Sequence, residues 1–228
     1  MDELRRMVKE MKQREIEENK HQILEKIKSL ETITEICVYG RYWLKSQSTN
    51  IEKILLDRLK IEPPISNNSG DGHKNGTNYE IKVSMHAKQS KINFVQIRPD
   101  HDIQFYILIA FNMYEDDDIG KAYIFKIPSE DLYKLLPDYG GYAHGTKEKL
   151  GDITSENIKE RYLEYALRAN PNLKKGIQPL WNELLKYEVE FHPDNFSPAN
   201  SDNESVYSNL HESAETIDKV QESKIIDI

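Results

Sequence analysis

Ser69-Gly70-Asp71-Gly72-His73-Lys74-Asn75-Gly76-Thr77-Asn78-Tyr79-Glu80-Ile81-Lys82-Val83 reads as strand, tight turn, strand. Asn75-Gly76 suits a two-residue hairpin turn, because both central positions must reach positive φ. Asp71 lies on the first arm; Glu80 and Lys82 lie on the second. Residues i and i+2 of a strand share a face, so Glu80 and Lys82 emerge side by side. Folding at Asn75-Gly76 returns Asp71 to the level of Glu80. Two carboxylates and one lysine then converge. Oxygen ligands of this kind suit Mg²⁺, which is held by one or two carboxylates together with substrate phosphate and water. A lysine beside such an ion can hold or activate a water, which completes a minimal kit for phosphodiester hydrolysis.

The spacing of Asp71 and Glu80-Ile81-Lys82 resembles the PD-(D/E)XK nuclease superfamily and, within it, the type II restriction endonucleases. The proline that often precedes the Asp is replaced by Gly70. Many members also carry a Glu on an upstream helix, a place that Glu52 occupies here. The resemblance covers residues 48–127. It implies catalysis by Asp71, Glu80 and Lys82, with Mg²⁺ held by Asp71, Glu80 and the Ile81 carbonyl. It further implies double-stranded DNA as substrate, a homodimer, and a restriction-endonuclease-like fold.

Alternating helical and extended segments lead independently to an α/β fold, a central mixed sheet of about five strands flanked by helices. Lys91–Arg98, Ile103–Asn112 and Lys121–Ile127 have the period-2 or fully apolar patterns of strands in a sheet with a buried middle. Ile81, Val83, Phe94, Val95, Phe105, Ile107, Leu108, Ile109, Phe111, Ile124 and Phe125 are the expected core. Residues 2–30 read as a long N-terminal helix with two apolar stripes, and residues 1–35 as a helical arm. Residues 36–191 read as the nuclease domain, with C-terminal helices over 154–169 and from Gln178-Pro179 onward. From His192 to Ile228, Ser, Asn, Asp and Glu dominate, and an acidic disordered tail is expected. Thr49-Asn50-Ile51-Glu52 fits a helical capping box, which gives Glu52 a structural role beside the catalytic one. Ser129 is the expected cap of a short helix after Pro128.

The net charge of −8 is unusual for a chain that approaches DNA. It is unevenly spread. Residues 192–228 hold eight acids against two lysines, whereas residues 36–99 hold ten Lys and Arg against five Asp and Glu. Phosphate affinity follows local cationic clusters, so this distribution permits a nuclease without arguing for one. Candidate DNA contacts are Arg41, Lys45, Lys88, Lys91 and Arg98 in the basic region. His144, Thr146 and Lys147 in the glycine-rich loop join them. Gln96 is a candidate auxiliary residue with Glu52, since Gln96 and Arg98 alternate with apolar neighbours on the strand after Lys82.

Other chemistries lack support. The seven histidines have no cysteine cluster beside them and no helical His-x-x-x-His pair, so a zinc site is not expected. Neither a Gly-x-Ser-x-Gly elbow nor a dinucleotide-binding glycine fingerprint is present. Arg98-Pro99-Asp100-His101-Asp102 offers a second Pro-Asp, but no Asp/Glu-x-Lys strand follows it, and it reads as a polar turn. Cys37, between Ile36 and Val38, reads as a buried thiol. The first twenty residues lack a signal-peptide core, and the apolar run Phe105–Phe111 is too short to span a bilayer. No membrane partner and a cytoplasmic location are expected. Two alternatives stay open beside the restriction enzyme. One is a catalytically silent nucleic-acid-binding module of the same fold; the other is a repair or junction-resolving nuclease.

Overall fold

The computed structural model describes residues 22, 25–43, 47–85, 92–112, 120–143, 152–160, 162–170 and 179–197. Asn75 and Gly76 take φ of 51° and 78°, as the turn requires. They join β1 (Gly72–Lys74) to β2 (Thr77–Met85) in an antiparallel hairpin with Gly72 opposite Tyr79. One step further back, Asp71 falls level with Glu80. On its other side β2 pairs in parallel with β4 (Phe105–Asn112), which sets Glu80 beside Tyr106 and Lys82 beside Leu108. β4 then pairs antiparallel with β5 (Lys121–Pro128), for the order β1-β2-β4-β5.

The fold is α/β, and among the described residues the mixed central sheet has four strands where the sequence pattern predicts about five. β3 (Ile92–Ile97) leaves it to form a second, three-stranded sheet, β3-β7-β6, with β6 (Tyr142–Ala143) and β7 (Tyr165–Ala169). Parallel neighbours such as β2 and β4 need a crossover between them, and β3 lies within that crossover. The helix expected over 154–169 is replaced by a turn at 155–160 and by β7. Pairing with β3 directs Tyr165, Leu167 and Ala169, a period-2 set, into the core. That non-local pairing outweighs the helical spacing of Ile158, Tyr162, Tyr165 and Ala169.

Each face of the central sheet is covered. Tyr79, Ile81, Ile107, Ile109 and Phe111 pack against α1 (Ile33–Trp43) and α2 (Gln47–Arg58). Tyr106, Leu108, Ala110, Phe125 and Ile127 pack against the second sheet, α3 (Ser129–Asp138) and α4 (Pro179–Leu185). Most of the expected core is buried, while Val83, Val95 and Phe105 are only half-buried. Cys37 is fully buried, and burial pushes its thiol up to about 12.

The helix ends depart from expectation in two places. A capping box does exist, but it is Thr32-x-x-Glu35 at the start of α1. The Thr32 hydroxyl accepts the Glu35 N–H at 3.2 Å, and the Glu35 carboxylate accepts the Thr32 N–H at 3.0 Å. α2 begins at Gln47, two residues before Thr49, so Thr49 is not its cap and Glu52 sits in the helix body. Ser129 does not cap α3; its hydroxyl donates to the Ile103 carbonyl at 2.6 Å and ties the helix to the start of β4.

Most of the N-terminal arm lies outside the described residues; its last turn, 25–29, is helical, with Ile27 buried. At the other end, packing continues beyond 191. Pro193–Phe196 forms a 3₁₀ turn, and Phe196 is completely buried. Three side chains hold this turn. Lys74 Nζ donates to the Pro193 carbonyl at 2.7 Å, Lys126 Nζ to Asn195 at 3.0 Å, and the Tyr79 hydroxyl to Phe196 at 2.9 Å. The compact body therefore includes 193–196. No helix among the described residues is long and apolar enough to cross a membrane. Phe196→Ala should cost about 3–5 kcal/mol in urea denaturation, the range for emptying a buried aromatic site. An unchanged unfolding midpoint would remove Phe196 from the core.

Candidate functional site

β2 outruns β1. In a strand, the N–H and C=O of one residue point to the same side, and alternate residues face alternate neighbours. Tyr79 faces β1 through its pairing with Gly72, so Ile81 and Val83 present their backbone groups along the same edge after β1 has ended. Side chains continue the ladder there. The Asp71 N–H donates to the Tyr79 carbonyl at 2.8 Å, and Asp71 Oδ2 accepts the Ile81 N–H at 2.8 Å. Glu52, reaching from α2, accepts the Val83 N–H at 3.4 Å. The Ile81 carbonyl points the same way as its N–H, toward Asp71.

Glu80 and Lys82 project from the face opposite α1 and α2, toward the second sheet. They form an ion pair, with the Glu80 side chain 4% and that of Lys82 13% exposed. This polar face is enclosed. Burial raises the Glu80 carboxyl above the ordinary carboxylate value; Lys82 opposes the shift and Asp71 adds to it. Glu52 is raised for the same first reason, again with Lys82 opposing and Asp71 and Glu80 reinforcing. Three carboxylates and a lysine thus share one electrostatic neighbourhood, with Glu52 among them. Perturbed carboxyl groups gathered in this way mark functional-site candidates.

The backbone at position 70 is closed to proline. Its φ is +74°, which a pyrrolidine ring cannot adopt. A Cβ there would also lie 2.5 Å from the Tyr79 carbonyl oxygen and 3.3 Å from Glu80 Oε2. Glycine lets the chain press against β2 so that Asp71 meets Ile81.

The remaining candidates separate. Gln96 sits at a bulge in the β3–β7 ladder with φ 59° and is exposed. The extra residue puts Phe94 and Ile97, three apart, into the same core. Arg98, which follows the bulge, lies within electrostatic reach of Asp71 and Glu80. Arg98 is bonded to Glu164, a residue with no local signal in the sequence, at 2.9 and 2.5 Å. Residues 98–102 are a polar turn as expected, with Asp102 accepting bonds from the Asn78 amide. His73 is engaged by Glu62 and Pro63. Lys45, Lys88, Lys91, His144, Thr146 and Lys147 lie outside the described residues, as does the side chain of Arg41.

Among the described residues, no three His, Cys, Asp or Glu side chains stand close enough to cage a metal ion. Asp71 and Glu80 lie within electrostatic reach of each other, with the Ile81 backbone edge against Asp71. This oxygen set fits Mg²⁺ in its usual protein setting, where one or two carboxylates share the ion with substrate and water.

Raised folded-state pKa values in Glu52 and Glu80 mean that folding favours their neutral forms. The stability they contribute is complete below the ordinary value of 4.5 and is lost as pH rises through the folded values. Glu52→Gln, which keeps an oxygen for Val83, should melt above the parent in metal-free buffer at about pH 8. The difference should close as pH falls toward 4.5. A difference that widens on acidification would reverse the assignment.

Comparison of the chain with protein families, with curated proteins and with solved structures finds no match.

Proposed function

We propose that this protein is a Mg²⁺-dependent DNA endonuclease of the PD-(D/E)XK type, acting as a type II restriction enzyme on a short double-stranded site. The observation that carries the reading is the gathering of Asp71 and Glu52 along the edge of β2 with the Glu80–Lys82 pair on its adjoining face, all within electrostatic reach of one another. Asp71 and Glu80 would hold the metal with the Ile81 carbonyl, and Glu52 would add an outer carboxylate. Bound there, Mg²⁺ would supply a water of lowered pKa and neutralise charge at the phosphate. Lys82 would orient the attacking water and hold the negative charge that grows on the phosphoryl oxygens. Its enclosure strengthens that role, because a cation acts more strongly where water is thinned. Glu80 keeps Lys82 in place until substrate arrives.

A second reading has its own observation. Every member of the cluster already has an internal partner: Asp71 with Ile81, Glu52 with Val83, Glu80 with Lys82. A silent module that binds nucleic acid through the basic region would keep the same contacts as scaffold. A repair or junction-resolving nuclease would share the chemistry and differ in substrate.

Incubation with plasmid and long phage DNA, with and without Mg²⁺, separates these. Discrete bands indicate a restriction enzyme, smears a nonspecific nuclease, and metal-independent gel shifts alone the silent module. Lys82→Ala should lower the cleavage rate by about 10²–10³-fold, the scale of removing a transition-state donor. Circular dichroism should remain that of the parent, since Glu80 can protonate when its partner is lost. Asp71→Ala should abolish cleavage through loss of metal. Cleavage at the parental rate by Lys82→Ala would place the chemistry elsewhere.

A further inference from the structure

Arg98 is positioned with more care than a surface cation needs. The bulge at Gln96 sets which side of β3 it leaves from. Its backbone N–H donates to the Tyr106 hydroxyl at 3.3 Å, and that hydroxyl is 3.3 Å from the Arg98 carbonyl. Tyr106 is the β4 residue in register with Glu80. The Arg98 main chain is therefore pinned to the strand beside the carboxylate cluster, and its guanidinium feels Asp71 and Glu80.

The guanidinium itself is held less well. Nε and Nη2 both donate to one oxygen, Oε1 of Glu164, so the two parallel donors of the fork are not matched by two acceptors. The pair is about one-third exposed, where ion pairs are weak. Glu164 stands on the segment entering β7, two residues after Tyr162. Although Tyr162 is 81% exposed with φ of 50°, Leu163 packs against the core and Tyr165 is fully buried, so the backbone beneath Glu164 is fixed and only its side chain can swing away. A fixed arginine thus faces a carboxylate that answers its fork with one oxygen, in a partly exposed pair.

We infer that Arg98 is a phosphodiester-binding fork beside the Asp71, Glu80 and Lys82 cluster, and that the Glu164 carboxylate is an internal stand-in which the substrate's phosphate displaces. The inference rests on the nuclease reading for the identity of the phosphodiester. A phosphate diester presents two non-bridging oxygens to the fork, the geometry that Glu164 does not supply. Displacement leaves Glu164 at the surface, where water can take it. Glu164 also keeps Arg98 from pairing with Asp71 or Glu80 before substrate arrives.

Fluorescence anisotropy with a labelled DNA duplex in EDTA tests this without cleavage. Glu164→Gln removes the competitor and should tighten binding by about two- to fivefold. Arg98→Gln should weaken binding and lower the slope of log affinity against log salt by about one. In the double variant the gain from Glu164→Gln should vanish. Arg98→Lys, which keeps the charge and loses the fork, should retain the salt slope yet bind more weakly than the parent. Unchanged or weaker binding by Glu164→Gln overturns the inference, as does a gain that persists without Arg98. If the parent cleaves DNA while Glu164→Gln gives no gain, this inference alone falls. If the parent neither binds nor cleaves duplex, the nuclease reading falls with it.

Discussion

The unpaired edge of β2 beyond β1 is the constraint from which the site follows. A backbone N–H enclosed by packing must find an acceptor, and leaving it without one costs about 1–3 kcal/mol. Asp71 meets that need at Ile81 and Glu52 meets it at Val83. Ionised acceptors make stronger bonds of this type than neutral ones. The same requirement sets carboxylates along the strand, next to the face from which Glu80 and Lys82 project. Scaffold and candidate chemistry therefore draw on the same oxygens. Glycine at position 70 is part of the arrangement, because no side chain fits between the chain and the Tyr79 carbonyl.

The two faces of the central sheet divide the work. One is closed by α1, α2 and Phe196 and contains the apolar side chains of β2. The other holds Glu80 and Lys82 under the second sheet, with Ser84 Oγ accepting the Asn93 N–H at 2.8 Å where the two sheets meet. Burial of a charged pair is costly unless the partners stay matched. Glu80 and Lys82 are matched to each other, yet burial still holds the Glu80 carboxyl above its ordinary value.

Much of this was legible in the residues. Asn75-Gly76 allowed only a narrow set of turns, and from that turn the meeting of Asp71 with Glu80 followed by counting. The apolar runs of β4 and β5 carried their own identity. What was not legible depended on distant partners. Residues 165–169 satisfy both helical and extended patterns, and only pairing with β3 decides between them. The second sheet was hidden for the same reason, since nothing in Ile92–Ile97 says which strand lies beside it. Gln96 and Arg98 looked equivalent until a one-residue bulge separated them. For Glu52, a plausible local cap drew attention from a contact that closes only when α2 packs against the sheet. Thr32-x-x-Glu35 is the opposite case, a local capping signal that the sequence carries and that the pattern at 49–52 overshadowed.

The C-terminal turn carries a consequence for how the chain acquires its shape. Tyr79, next to Glu80, bonds to the carbonyl of Phe196, 117 residues away in sequence. Loop closure over such a span is entropically slow, and chains emerge from the ribosome N-terminus first. The hairpin with its carboxylates is synthesised early, but the aromatic plug behind it arrives at the end of the compact body. Nascent protein therefore passes through a stage with the hairpin present and one side of its core unsealed.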